Sequence, residues 1–270
     1  MSEGCNHDCG SCSAGCDKKD FMEPQNKYSN IKEVIAVISG KGGVGKSLTT
    51  GLLAECAKKA GKKVAVIDAD ITGPSMPKIF GVKEKATGDE TGLNPVITKD
   101  GIEMMSINLL LENEGEPVIW RGPVVSGVVK QFWTDVKWGE IDQMFVDCPP
   151  GTGDVPLTIF QSLPIKGIIV VTSPQDLVSL IVAKAVSMAK MMDIPILGIV
   201  QNMSYFVCDN CDKKHYIFGK TNIEETALLH GVKNVCEMPI LSDVAAKCDI
   251  GNIKDVVIPE IEEFYNKALK

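Results

Sequence analysis

Residues 34–38 read Val-Ile-Ala-Val-Ile, an unbroken apolar run of strand length that stops at a glycine-rich stretch. Helical spacing follows over about 46–60, and then Lys63-Val-Ala-Val-Ile67 gives a second apolar run ending at Asp68. The alternation continues down the chain. Strands are predicted near 103–108, 143–147, 167–172, 196–201 and 233–237, and helices near 124–136, 176–192, 222–230 and 259–269. Residues 83–100, rich in Gly, Lys, Glu and Asp, predict an exposed excursion. Residues 1–30 are polar and predict a cysteine-bearing tail with a flexible linker, leaving one domain over 31–270. Strands that are apolar throughout must be covered on both faces. The pattern therefore implies a three-layer α/β fold, a mostly parallel sheet between two helix layers, with ligands at the carboxyl ends of the strands.

Between the first strand and the first helix stands Gly40-Lys-Gly-Gly-Val-Gly-Lys-Ser47. It fits G-x-x-x-x-G-K-[ST] in the strand–loop–helix setting that a phosphate-binding loop requires, so the fold narrows to a P-loop NTPase. Gly40, Gly42, Gly43 and Gly45, with Val44 among them, let successive backbone N–H groups face phosphates. Lys46 reaches the β/γ oxygens, and the Ser47 hydroxyl offers a ligand to Mg²⁺. ATP and Mg²⁺ are the predicted small ligands. Two later strands end in carboxylates where the phosphates should lie. Asp147 matches a Walker B carboxylate holding Mg²⁺, and Asp68 is placed for the Mg²⁺ shell or the loop. Gly151 and Gly153 permit a backbone N–H to approach the γ-phosphate.

The chain of 270 residues is 44% hydrophobic and 23% charged, enough apolar material for the core of such a domain. A net charge of −7 and the lack of any Lys/Arg-rich block argue against nucleic acid as partner. Stretches such as Ile168-Ile-Val-Val171 are too short to span a bilayer, and no apolar leader is visible at the N-terminus. No membrane partner and a cytoplasmic location are expected.

The ten cysteines divide sharply. Cys5, Cys9, Cys12 and Cys16 crowd the tail, Cys208-Asp-Asn-Cys211 forms a pair, and Cys56, Cys148, Cys236 and Cys248 are scattered as packing residues would be. Met188, Met191 and Met192 read as core on the long helix. In a reducing compartment, clustered thiols argue for metal. Cys208 and Cys211 offer half of a four-thiolate site, and a nearby two-fold axis would complete it around one [4Fe–4S] cluster. A half zinc site with His215, written C-x2-C-x3-H, and a redox dithiol are the alternatives. The four tail thiols can enclose a further [4Fe–4S] cluster or a zinc ion within one chain, with His7 able to replace one of them.

Lys41 is an addition that a generic phosphate loop does not need. Lys-Gly-Gly-x-Gly-Lys-Ser resembles the deviant loop of the MinD/ParA ATPase class, which also holds the nitrogenase reductases. The resemblance implies that Lys41 reaches across a two-fold axis to the partner's nucleotide, that Asp70 orients the attacking water, and that Asn202 hydrogen-bonds the adenine; catalysis would rest on Lys41, Lys46 and Asp70. More specifically, five stretches in order resemble the Mrp/ApbC-type iron–sulfur carrier ATPases and their Nbp-type relatives. They are the loop, Asp68-Ala-Asp-Ile-Thr-Gly-Pro-Ser75, Trp120-Arg-Gly-Pro123, Pro149-Pro-Gly-Thr-Gly-Asp154 and Gln201-Asn-Met-Ser-Tyr-Phe-Val-Cys-Asp-Asn-Cys211. The family implies an ATP-hydrolysing homodimer that carries a labile [4Fe–4S] cluster on Cys208 and Cys211, in a loop over 203–220, and passes it to apo iron–sulfur proteins. The wider class leaves two alternatives, a spatial-regulator ATPase and an ATP-dependent reductase-like electron donor.

Overall fold

The computed structural model describes residues 22–70, 73, 75–111, 122–151, 153–174 and 178–270. Cys5, Cys9, Cys12 and Cys16 lie outside them. The nine-stranded sheet is built around β2 (Val34–Ser39), flanked by β9 (Gln143–Asp147) and β10 (Ile165–Thr172). Beyond β9 come β3 (Val64–Asp68), β7 (Glu103–Ser106) and the edge strand β6 (Val96–Ile97). Beyond β10 comes β11 (Ile196–Val207), which pairs with both β13 (Val235–Pro239) and β12 (Lys214–His215). All these pairings are parallel except those of β6 with β7 and β12 with β11.

Side chains alternate across a strand, so each central strand feeds two cores. Val34, Ala36 and Ile38 of β2 face one core, with Phe132 and Trp133 of α3 (Gly122–Thr134), Phe160 of α4 (Asp154–Ser162) and Val182 of α5 (Val178–Met192). Ile35 and Val37 face the other, with Leu53 of α1 (Lys46–Lys59), Phe80 of α2 (Met76–Phe80) and Phe264 of α8 (Pro259–Ala268). The three-layer α/β arrangement is therefore present as the strand pattern requires. Its consequence is that the ends of β2, β3 and β9 lie side by side, with Val37 opposite Asp147 and Asp147 opposite Asp68.

The structure departs from the sequence reading in a few places. Residues 22–30, expected to end a flexible linker, lie against α3. The Glu23 carbonyl accepts from the Trp133 indole at 2.9 Å, Lys130 pairs with Glu23 at 3.0 Å, and β1 (Ser29–Ile31) pairs with β8 (Gly139–Ile141). Within 83–100 a small hairpin forms from β4 (Thr87–Asp89) and β5 (Gly92–Asn94), and Val96 is buried. α2 and α7 (Val244–Asp249) are too short for periodicity to reveal. Met188 is buried as expected, but Met191 is 71% exposed and faces away from the core.

Cys56, Cys148 and Cys236 are buried, and desolvation pushes each thiol up to about 12, which makes them packing residues. Cys248 is half-buried. One charged group on α1 stands apart. Glu55 is 5% exposed, its Oε1 has no hydrogen-bond partner, and burial, then the nearby Asp100, pushes its carboxyl up to about 7. In the unfolded chain the same group titrates near 4.5. As pH rises between these values the unfolded state releases the proton first, so stability falls across that window. Glu55→Gln removes this loss. The variant's melting temperature relative to the parent should rise between pH 5 and pH 8 by about 2–4 °C, taking on the order of 1 kcal/mol after solvent screening.

Candidate functional site

The turn from β2 into α1 needs backbone that only glycine adopts easily. Gly43 and Gly45 have φ of 81° and 87°, in the left-handed region. Gly45 is also the N-cap of α1, and a Cβ there would meet Asn202 Nδ2 at 2.1 Å. That amide donates to the Val44 carbonyl at 3.0 Å, so Asn202 is packed onto the loop itself. It is nearly buried, which places one of its donors on protein backbone. Lys41 is exposed, and the Ser39 hydroxyl donates to its carbonyl.

Asp147 is the hub beneath the loop. Its side chain is fully buried, Lys46 Nζ sits 2.8 Å from Oδ1, the Thr50 hydroxyl donates to Oδ1 at 2.8 Å, and the Ser47 hydroxyl donates to Oδ2 at 2.6 Å. A buried carboxylate needs such partners. Lys46 and Thr50 are four residues apart on α1 and so share a face. Thr50 escaped the sequence reading, and that i,i+4 relation to the loop lysine was the signal for it. Lys46 is buried, which opposes its charge, but Asp147, Asp70 and Asp68 outweigh that and hold its pKa above the ordinary lysine value.

Asp70 Oδ2 stands 3.7 Å from the same nitrogen and is 14% exposed. Asp68 is fully buried, accepts from Ser106 Oγ at 3.1 Å and from the Met76 N–H at 3.2 Å, and lies opposite Asp147 in the sheet. Desolvation, then the Asp147 charge, drives its pKa upward. The Gly151 N–H, expected to be available to a phosphate, donates to the Ser39 carbonyl at 2.7 Å and ties this segment to the end of β2. Ser47 and Asp147 thus present adjacent hard oxygens, the donor type that Mg²⁺ takes, beside an ammonium and a glycine loop.

The second cluster stands at the far end of β11. The strand runs past Asn202 and turns at Cys208 into β12, with Phe206 opposite His215. Backbone bonds from Asp212 to the Cys208 carbonyl (2.9 Å) and from Cys208 to the Lys213 carbonyl (3.0 Å) close a knuckle, helped by Asp212 at φ 54°. The Asn210 N–H, the Cys211 thiol and the Cys211 N–H hydrogen-bond to the Cys208 sulfur and hold its pKa below the usual thiol value. The ligand atoms of Cys208, Cys211 and His215 all lie within 4.8 Å of one another, and Cys211 and His215 are exposed.

A phosphate loop, and a cysteine knuckle at the end of a strand whose Asn202 is bonded to that loop, point to a specific group of proteins. The ParA family model, described as the NUBPL iron-transfer P-loop NTPase, matches residues 30–270. The chain belongs to that family. Among curated iron–sulfur cluster carrier proteins, one from Clostridium perfringens is 46% identical over 259 residues, covering 92% of this chain and 91% of its own. A solved nucleotide-binding protein from Archaeoglobus fulgidus, in complex with ADP, superposes with a TM-score of 0.78 at 42% identity, covering 87% of this chain and 92% of that one. The septum-site protein MinD from Pyrococcus horikoshii, complexed with Mg-ADP, has a TM-score of 0.58 at 17% identity over 88% of this chain and 96% of its own, which shows the fold.

This iron-transfer NTPase is therefore a nucleotide-binding carrier by family, and Gly45 is its most constrained loop position. Gly45→Ala puts a Cβ into Asn202 at a φ that alanine resists, a strain on the order of 1–3 kcal/mol. ADP affinity measured by calorimetry should fall by about fivefold or more, since ~1.4 kcal/mol is a factor of ten.

Proposed function

We propose that this chain is an ATP-hydrolysing iron–sulfur carrier that works as a homodimer. Cys208 and Cys211 from each copy hold one [4Fe–4S] cluster between them, and the cluster is cargo handed to apo iron–sulfur proteins in the cytoplasm. Neither nucleic acid nor membrane is a partner in this reading. The net charge of −7 weighs against the first; for the second, no helix among the described residues is long and apolar enough to cross a bilayer. In this assignment Gly40 to Ser47 hold the triphosphate, Lys41 reaches the partner's nucleotide, Ser47 and Asp147 hold Mg²⁺, and Asp70 orients the attacking water. Asn202 contributes to the adenine site as well as to the loop. The tail cysteines Cys5, Cys9, Cys12 and Cys16 form a second cluster site.

The single observation that carries the proposal is the continuity of β11. Asn202 is bonded to the phosphate loop, and six residues later the same strand delivers Cys208. Between them the pairing with β13 shifts register from Gln201 to Tyr205, and Met203 takes φ 58°. An irregular backbone between a nucleotide contact and a thiolate knuckle is a physical route by which ATP-driven closure can alter the grip on a cluster.

Lys46→Ala and Asp70→Ala should each lower ATP turnover by about 100-fold or more, the scale of losing one group that stabilises or positions the transferring phosphate. Turnover at the parental rate would remove the catalytic assignment. With the four tail cysteines changed to Ser, anaerobic reconstitution should give about two irons and two sulfides per chain, one [4Fe–4S] cluster per dimer. Adding Cys208→Ala and Cys211→Ala should abolish that uptake.

A further inference from the structure

The knuckle carries three ligands where a bridging cluster asks for two. A [4Fe–4S] cluster takes four thiolates, so two copies of Cys208 and Cys211 suffice and both histidines are surplus. Yet His215 is not left at random. Its register opposite Phe206 and the tight Cys208–Asp212 turn bring its ring nitrogen to both sulfurs, with all three ligand atoms inside 4.8 Å. In a tetrahedral site with metal–sulfur bonds near 2.3 Å, ligand atoms lie about 3.7 Å apart, so a small rotation of exposed side chains closes the set.

We propose that Cys208, Cys211 and His215 form a mononuclear site within one chain for a thiophilic divalent ion such as Fe²⁺ or Zn²⁺. Two sulfurs and one nitrogen leave the fourth tetrahedral position open to water or an incoming ligand. Soft thiolates with an imidazole select such ions over Mg²⁺, which the oxygen donors at the phosphate loop take. The inference rests on the reading of this hairpin as the metal-handling element. It adds that one chain alone can hold a single ion there, with His215 as the ligand that stands in for the partner's thiolates. In the paired state His215 yields to those thiolates. Two different occupants, one ion per chain or one cluster per two chains, then follow from whether a second copy is present.

Anaerobic Co²⁺ titration tests this on the full chain with Cys5, Cys9, Cys12 and Cys16 changed to Ser and no nucleotide added. The parent should saturate at one Co²⁺ per chain, with the intense visible bands of tetrahedral cobalt and thiolate-to-cobalt charge transfer from two sulfurs. His215→Ala should bind about 100-fold more weakly, the upper end of what disturbing even an outer-shell partner costs, while its ADP affinity stays at the parental value. His230→Ala, a change at a histidine away from the knuckle, should match the parent. The proposal is overturned if His215→Ala binds like the parent, if the parent shows no tetrahedral cobalt, or if saturation comes at one ion per two chains with a four-thiolate spectrum. Normal cluster uptake by His215→Ala would leave the carrier reading standing whatever the cobalt result, so the two can fail separately.

Discussion

Everything at the nucleotide site depends on one buried carboxylate. Asp147 sits at the end of β9 with no exposure, and its charge is tolerable there only because Lys46, Ser47 and Thr50 converge on it. Removing one partner of such a buried pair typically costs about 3–5 kcal/mol, against at most about 1 kcal/mol for an exposed ion pair such as Lys267 with Glu263. The surface pairs can therefore vary with little consequence, while the register that sets β9 beside β2 cannot slip by one residue. A slip would turn Asp147 into one of the apolar cores and leave Lys46 without a counter-charge.

The same strand register explains how two chemistries share one small domain. Hard oxygen donors and the ammonium gather at the ends of β2, β3 and β9. The soft sulfur donors stand beyond the end of β11, Cys211 exposed and Cys208 half-buried. Asn202 bridges the two regions through the Val44 carbonyl. MinD shares the fold. In this chain β11 runs past its last pairing with β10, at Gln201, and leads into the cysteine knuckle.

Much of this was legible in the sequence because burial and chemistry there leave few options. Strands apolar on both faces announced a parallel sheet, and Gly40 to Ser47 announced the phosphate loop by residue type and spacing together. Asp68 and Asp147 were readable because each closes an apolar run. Other features depend on packing that no local pattern encodes. Thr50 looks like any helix threonine until Asp147 is placed beside it. Residues 22–30 are mostly polar and read as linker, but the backbone of Glu23 finds partners on α3 and α4. Met191 shares its helix with buried neighbours and still faces outward, since a three-residue methionine cluster spans more of the helix circumference than one buried face covers. The adjacency of His215 to the cysteines was visible as spacing, while its approach to both sulfurs came from the hairpin turn.

On the proposed function, two copies of this chain meet so that paired thiolates grip one cluster beside two nucleotides. Native mass spectrometry of the anaerobically reconstituted protein, loaded with a non-hydrolysable ATP analogue and lacking the tail thiols, tests it most directly. A single species with the mass of two chains, one [4Fe–4S] cluster and two nucleotides is the predicted result. A cluster-loaded species with the mass of one chain would rule out a cluster shared between two copies.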